Sequence, residues 1–138
     1  MLDNITLLGF DFGTRKIGVA VGQSITCTAQ PIATLPVPPE SLPWSEMAKL
    51  IKTWQPDRLV VGLPYNEGFE DNSTYDAALR FIEALKTRFQ LPVETVDEHL
   101  TSFSAKRIMQ ERGLKPNKVS VDALAAMLIL ESWLQNHV

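Results

Sequence analysis

Asp11 interrupts a run, Ile5-Thr-Leu-Leu-Gly-Phe-Asp-Phe12, whose other members suit a buried strand. Strand alternation puts Ile5, Leu7, Gly9 and Asp11 on one face, and Thr6, Leu8, Phe10 and Phe12 on the other. A carboxylate in such surroundings is costly unless a cation meets it. Gly9 and Gly13 flank it and let another group approach the backbone closely. The pattern predicts a metal or phosphate site at the end of a core strand. Asp97 and Glu98 close the last predicted strand, and Asp122 falls in the first turn of the final predicted helix. If the last strand pairs beside the first, Glu98 approaches Asp11, and a helix across the sheet end brings Asp122 to both. Three converging carboxylates repel one another unless divalent cations neutralise them, and hard oxygen ligands suit Mg²⁺ or Mn²⁺. Two such ions about 4 Å apart can bind both the attacking and the leaving oxygen of a phosphodiester. Singly, the acids have plainer roles. Asp97 and Glu98 suit a strand leaving the core, and Asp122 suits a helix dipole. The chemistry lies in the combination.

The elements that must position these acids can be read from periodicity. Residues 5–12, 16–22 and 25–35 read as strands joined by short turns, an antiparallel meander. Residues 36–43, with four prolines, form a stiff connector. A helix over 43–54 carries Met47, Leu50, Ile51 and Trp54 along one face, with the Met and Trp residues expected in the core. A strand over 58–61 ends in Gly62-Leu63-Pro64. Ser73 and Asp76 open a helix to about Phe89, with Ala78, Phe81, Ile82 and Leu85 on its buried stripe. A strand over 92–96 leads into Asp97-Glu98, and helices follow over 102–112 and 120–136. The order βββ-α-β-α-β-α-α predicts one domain over 1–138. Its fold class is α/β, a mixed five-stranded sheet, three strands antiparallel and then parallel, with helices on both faces.

Composition bounds the function. The chain has 138 residues, 45% of them hydrophobic and 21% charged, which suits a soluble globular domain. The lone Cys27 forms no internal disulfide, reads as a small core residue, and fits a reducing cytoplasm. No signal peptide is expected at the N-terminus, and the longest apolar run, 123–130, is too short to span a bilayer. His99 and His137 are the only histidines, too few with one cysteine for a structural zinc site. The net charge of −3 argues mildly against non-specific nucleic-acid binding, but the charges are uneven. Lys106, Arg107, Arg112, Lys115 and Lys118 crowd into 106–118, opposed there only by Glu111, whereas Glu67, Glu70, Asp71 and Asp76 gather elsewhere.

Four segments carry a resemblance. Gly9-Phe-Asp-Phe-Gly-Thr-Arg-Lys-Ile-Gly-Val-Ala20, Val60-Val-Gly-Leu-Pro-Tyr-Asn66, Val96-Asp-Glu-His-Leu-Thr-Ser102 and Val121-Asp-Ala-Leu-Ala-Ala126 closely resemble the YqgF (RuvX) family, in the family's order. The resemblance implies a ribonuclease H-like fold, similar to that of RuvC resolvases. It also implies a divalent-metal nuclease acting on structured nucleic acid. The family has been described both as a Holliday-junction resolvase and as a nuclease maturing the 5′ end of the 16S rRNA precursor. Its acidic positions fall on Asp11, Glu98 and Asp122. Asp11 would bridge two ions, Glu98 and Asp122 would each complete one coordination sphere, and Asp97 would be an outer partner or substitute metal ligand. Two positions depart from the pattern. His99 stands where the family usually has arginine, leaving a phosphate contact weak or supplied by Arg15, Lys16 or Lys106. The loop after Asn66 runs Glu67-Gly-Phe-Glu-Asp71 instead of the family's usual stretch.

The expected partner is nucleic acid, an rRNA precursor ahead of branched DNA, held through Arg15, Lys16 and the basic run 106–118. No membrane partner is expected, and either a monomer or a homodimer fits. Two rival readings are a phosphate-handling ATPase relative, because Asp-x-Gly-Thr also opens such phosphate loops, and a non-catalytic nucleic-acid-binding module. The first needs a second domain for which this length leaves no room.

Overall fold

The structure, a computed structural model, describes residues 4–64, 73–98, 110–111 and 121–137, with the side chains of Pro64, Ser73 and Glu98 excepted. The described elements are β1 (Thr6–Phe12), β2 (Lys16–Gln23), β3 (Thr28–Pro36), α1 (Trp44–Trp54), β4 (Arg58–Pro64), α2 (Ser73–Phe89), β5 (Val93–Glu98) and α3 (Val121–His137). Residues 110 and 111 are helical, in keeping with the predicted 102–112 helix. The rest of that helix lies outside the described residues. So do His99, the five basic residues of the 106–118 run, and Glu67, Glu70 and Asp71.

The five strands form one sheet in the order β3-β2-β1-β4-β5. β1 to β3 make the expected antiparallel meander, and β4 and β5 join β1 in parallel. Alternation along β1 divides two cores. Leu8, Phe10 and Phe12 face α1 and α2, where they meet Met47, Phe81, Ile82 and Leu85. Phe10 and Phe81 pack edge to face with ring centroids 5.9 Å apart, a favoured aromatic geometry. Leu7 turns to the other face, with Ala20 and Val60, under Leu124, Ile129, Leu130 and Trp133 of α3. α3 has little amphipathic character because nine of its residues are buried, as expected of a helix that is apolar nearly all round. Among the described residues no helix is long and apolar enough to cross a membrane.

Four expectations need correction. The last strand does not pair beside the first: β4 lies between β5 and β1, because each βα unit after the meander adds a strand outward. β3 begins at Thr28, not 25, since Ser24 to Cys27 form a turn. Ser24 is the buried polar residue there; its backbone N–H donates to the Ile5 carbonyl at 3.0 Å, and its hydroxyl accepts from the Ile5 N–H at 2.7 Å. Cys27 is accordingly not a core residue but a half-buried turn residue with φ 53°, in the left-handed region. Its β-branched neighbours Ile25 and Thr26 mimic a strand in sequence, yet Ile25 is 73% exposed. Finally, Trp54 at the last position of α1 is 36% exposed, whereas Trp133 is buried.

Candidate active site

Asp11 is the penultimate residue of β1, half-buried, and it faces α3 as its alternation with Leu7 and Gly9 requires. Its lateral neighbours in the sheet are both glycines: Gly18 of β2 on one side and Gly62 of β4 on the other. Directly paired residues share a face, so the surface beside Asp11 carries no side chain across three strands. Glycine weakens a strand interior unless something must come close. Here something does. A Cβ on Gly18 would lie 1.9 Å from the Asp122 carbonyl oxygen, 2.2 Å from its carbon and 2.8 Å from the Ala123 nitrogen. The first turn of α3 therefore rests on Gly18, and Asp122 comes with it.

Opposed residues of an antiparallel pair have Cα atoms at most about 5.5 Å apart. The contact on Gly18 then places the Asp11 and Asp122 backbones within roughly 10 Å of one another. Asp122 is half-buried and stands in the first turn of its helix, where the positive end of the dipole favours anions. Two of the three predicted acids are thus brought together by backbone packing.

Glu98 ends β5, opposite Pro64, two positions beyond the pair Val96 and Gly62. Val96 packs in the α3 core, so register assigns Glu98 to the same face as Asp11, across β4. Two strand spacings and two residues of rise separate their Cα atoms by about 12 Å. The interval is floored by Gly62. Asp97 has the opposite parity. It pairs with Leu63, which packs in the α1 and α2 core, and is exposed. The structure therefore does not bring Asp97 to the face that holds Asp11.

Arg15 and Lys16 are exposed at the tip of the β1–β2 connection, which projects past the same sheet end. The Arg15 carbonyl accepts a hydrogen bond from Val37 N–H at 2.8 Å, tying the tip to the start of the proline-rich connector. Lys16 shares the parity of Gly18 and Ala20, the α3 side. Two exposed cationic residues thus stand at the sheet end that carries Asp11.

Among the described residues no group of three or more His, Cys, Asp or Glu forms a metal cage; the third acid's side chain is not among them. The donors that are described, the carboxylate oxygens of Asp11 and Asp122 above a glycine floor, are of the hard kind that suits a divalent cation. Gly18 and Gly62 are the positions the sequence reading passed over. Their signal was a glycine inside each strand that flanks an acidic strand residue.

Comparison with known proteins gives a family and a fold. A family model described as RuvX, Holliday junction resolvase, matches residues 5–136. A protein of Saccharophagus degradans named "Putative pre-16S rRNA nuclease" is 48% identical over 135 residues, covering 96% of this chain and 94% of its own length. One of the same name from Coxiella burnetii is 49% identical over 133 residues, with the same coverage. Among solved structures, RuvC of T. thermophilus in complex with a Holliday junction substrate superposes with a TM-score of 0.60 at 14% identity, over 96% of this chain and 94% of that one. The fowlpox virus Holliday junction resolvase superposes at 0.58 and 15% identity, over 96% and 99%. At such identities the likeness is one of fold, and the fold is ribonuclease H-like.

Proposed function

The chain belongs to the RuvX family, and on that premise we propose that it is a divalent-metal-dependent nuclease that hydrolyses phosphodiester bonds in an rRNA precursor. The observation carrying this reading is the seating of Asp122 on Gly18, directly beside Asp11. A fold without a use for paired acids there would place apolar side chains at those positions. Asp11, Glu98 and Asp122 are the ligand set, with Mg²⁺ or Mn²⁺ as the cation and two ions as the expected number. When bound, such ions activate a water and neutralise charge on the phosphodiester.

The chain's own residues do the rest. Asp11 holds the centre of the site from a strand fixed on both sides. Asp122 approaches from the helix, and the dipole of that helix lends positive potential to an incoming phosphate. Arg15 and Lys16, with the basic run 106–118, grip the flanking backbone without reading bases.

RNA is favoured over DNA because relatives at nearly half identity carry the pre-16S rRNA name, while the junction resolvases share only the fold. Cleavage of a four-way DNA junction is the second reading, favoured by the family description. It would call for a two-fold dimer, whereas trimming one RNA end needs only a monomer.

A single assay tests both. A precursor 16S rRNA fragment and a four-way DNA junction are incubated with wild type and with Asp11→Asn, in Mg²⁺ and in Mn²⁺. Wild type is expected to cut the RNA fragment faster. The variant should lose cleavage of both substrates by about 10³-fold or more while keeping its melting temperature within a few degrees. Wild-type rates from the variant would sink the assignment, and faster cutting of the junction would exchange the two substrates.

A further inference from the structure

Gly18 lies outside the proposed ligand set, yet of the glycines at 9, 13, 18 and 22 it is the one on which neighbouring backbone lies closest. α3 crosses the sheet over three glycines that share one face: Gly18, Gly9 and Gly22. The contacts differ in kind along the helix. At Gly22 an added Cβ would meet the Leu130 Cδ2 at 2.9 Å and the Thr28 carbonyl oxygen at 3.1 Å. At Gly9 it would meet the Leu130 Cβ at 2.9 Å and the Ala126 carbonyl oxygen at 3.2 Å. Rotation of the Leu130 side chain can relieve the nearest contact at Gly22, whereas at Gly9 the helix itself would have to shift by about half an ångström. At Gly18 all three nearest atoms are backbone, and the first lies at 1.9 Å. No rotamer change relieves that.

To regain an ordinary contact of 3.4 Å or more, the N-terminal turn of α3 would have to retreat by about 1.5 Å. The residue carried by that turn is Asp122. Gly18 is also the direct lateral partner of Asp11, so the hydrogen atom in place of a Cβ sets the distance between the two acids from below. From this we propose that Gly18 is a positioning residue for catalysis. It acts through Asp122, fixing the approach of the α3 carboxylate to Asp11, in addition to seating the helix on the sheet. The inference rests on the nuclease reading, since it presumes that the two acids work together. Misplacement of a reacting constellation by about 1 Å can cost roughly 10²-fold in rate.

The test compares Gly18→Ala with Gly22→Ala, a control that stresses the same helix away from the acids. Four quantities are followed: kcat and KM on the precursor fragment, melting temperature, and Mn²⁺ affinity by titration calorimetry without nucleic acid. G18A is expected to lower kcat by about 10²-fold, weaken Mn²⁺ binding by about tenfold or more, and leave KM within about threefold. G22A, whose closest contact a Leu130 rotamer can relieve, should lower the melting temperature by less and leave kcat and Mn²⁺ affinity near wild type. A second variant asks whether reach is the deficit. Asp122→Glu adds one methylene; alone it should impair cleavage, and in G18A/D122E it should restore at least about tenfold of the loss, because the longer side chain spans the retreat.

Wild-type kcat and Mn²⁺ affinity in G18A would overturn the positioning role. So would a G18A chain that fails to fold, or a double variant no better than G18A, since either would make Gly18 a requirement of packing alone. The nuclease reading has its own failure, cleavage by Asp11→Asn. Wild-type activity that is lost in D11N and kept in G18A would therefore remove this inference and leave that reading standing.

Discussion

Asp97 and Glu98 are adjacent in the chain and opposite in the sheet. Pleating gives them different faces: Asp97 pairs with Leu63 on the α1 and α2 side, and Glu98 pairs with Pro64 on the side of Asp11 and α3. If only the α3 side holds the reaction, two carboxylates of nearly equal chemistry must differ sharply in consequence. Glu98→Gln is expected to lower kcat by roughly 10²-fold or more, since it removes a charged ligand from the set. Asp97→Asn should stay within about threefold, because it changes an exposed strand-end residue. Steady-state kinetics on the precursor fragment checks both. Equal losses would mean that β5 twists enough at its end to offer either side chain, and the parity argument would fail.

At the level of elements, each sheet face has its own duty. α1 and α2 cover an apolar core, with Phe81 against Phe10, Phe12 and Trp44. α3 closes the side that carries the acids. Phe81→Ala should therefore destabilise the domain by about 3–5 kcal/mol, read as a lower urea midpoint at unchanged slope. The kcat of the folded fraction should stay within about twofold, and a large loss there would mean that the two faces are coupled. Much of this division was legible in the sequence. The alternation Leu7-Leu8-Gly9-Phe10-Asp11 fixes which residue joins which core, and the 3.6-residue spacing of Ala78, Phe81, Ile82 and Leu85 marks the stripe of α2. What escaped was long-range or disguised. Strand order depends on where each βα unit docks, so the insertion of β4 between β1 and β5 has no local signature. The turn at Ser24 to Cys27 is built from Ile and Thr and held by the buried Ser24 bonded to Ile5, a partner nineteen residues away. The role of Gly18 has no local signature either, because its helix partner lies about a hundred residues downstream. Local pattern reports which face a residue takes; it does not report what will lie on top of it.

For the whole molecule the puzzle is charge. A chain of net charge −3 is proposed to hold a polyanion next to its own carboxylates, so attraction must come from where the cations sit and not from their number. The β1–β2 tip gives one such place: exposed Arg15 and Lys16 project past the sheet end that carries Asp11, anchored by the bond from Val37 to the Arg15 carbonyl. Each phosphate contact made by such a residue releases condensed counterions and contributes about 0.7–0.9 to the slope of log affinity against log salt. Replacing both by glutamine removes charge while keeping length and polarity. Arg15→Gln/Lys16→Gln should thus reduce that slope by about 1.5 and weaken RNA binding most at low salt. The melting temperature should hold, because both side chains are exposed. Fluorescence anisotropy of a labelled precursor fragment, titrated at four or five salt concentrations in Ca²⁺ to limit cleavage, measures the slope directly. If the tip is a bystander, the slope will match wild type, and the grip on the backbone must then come from elsewhere in the chain.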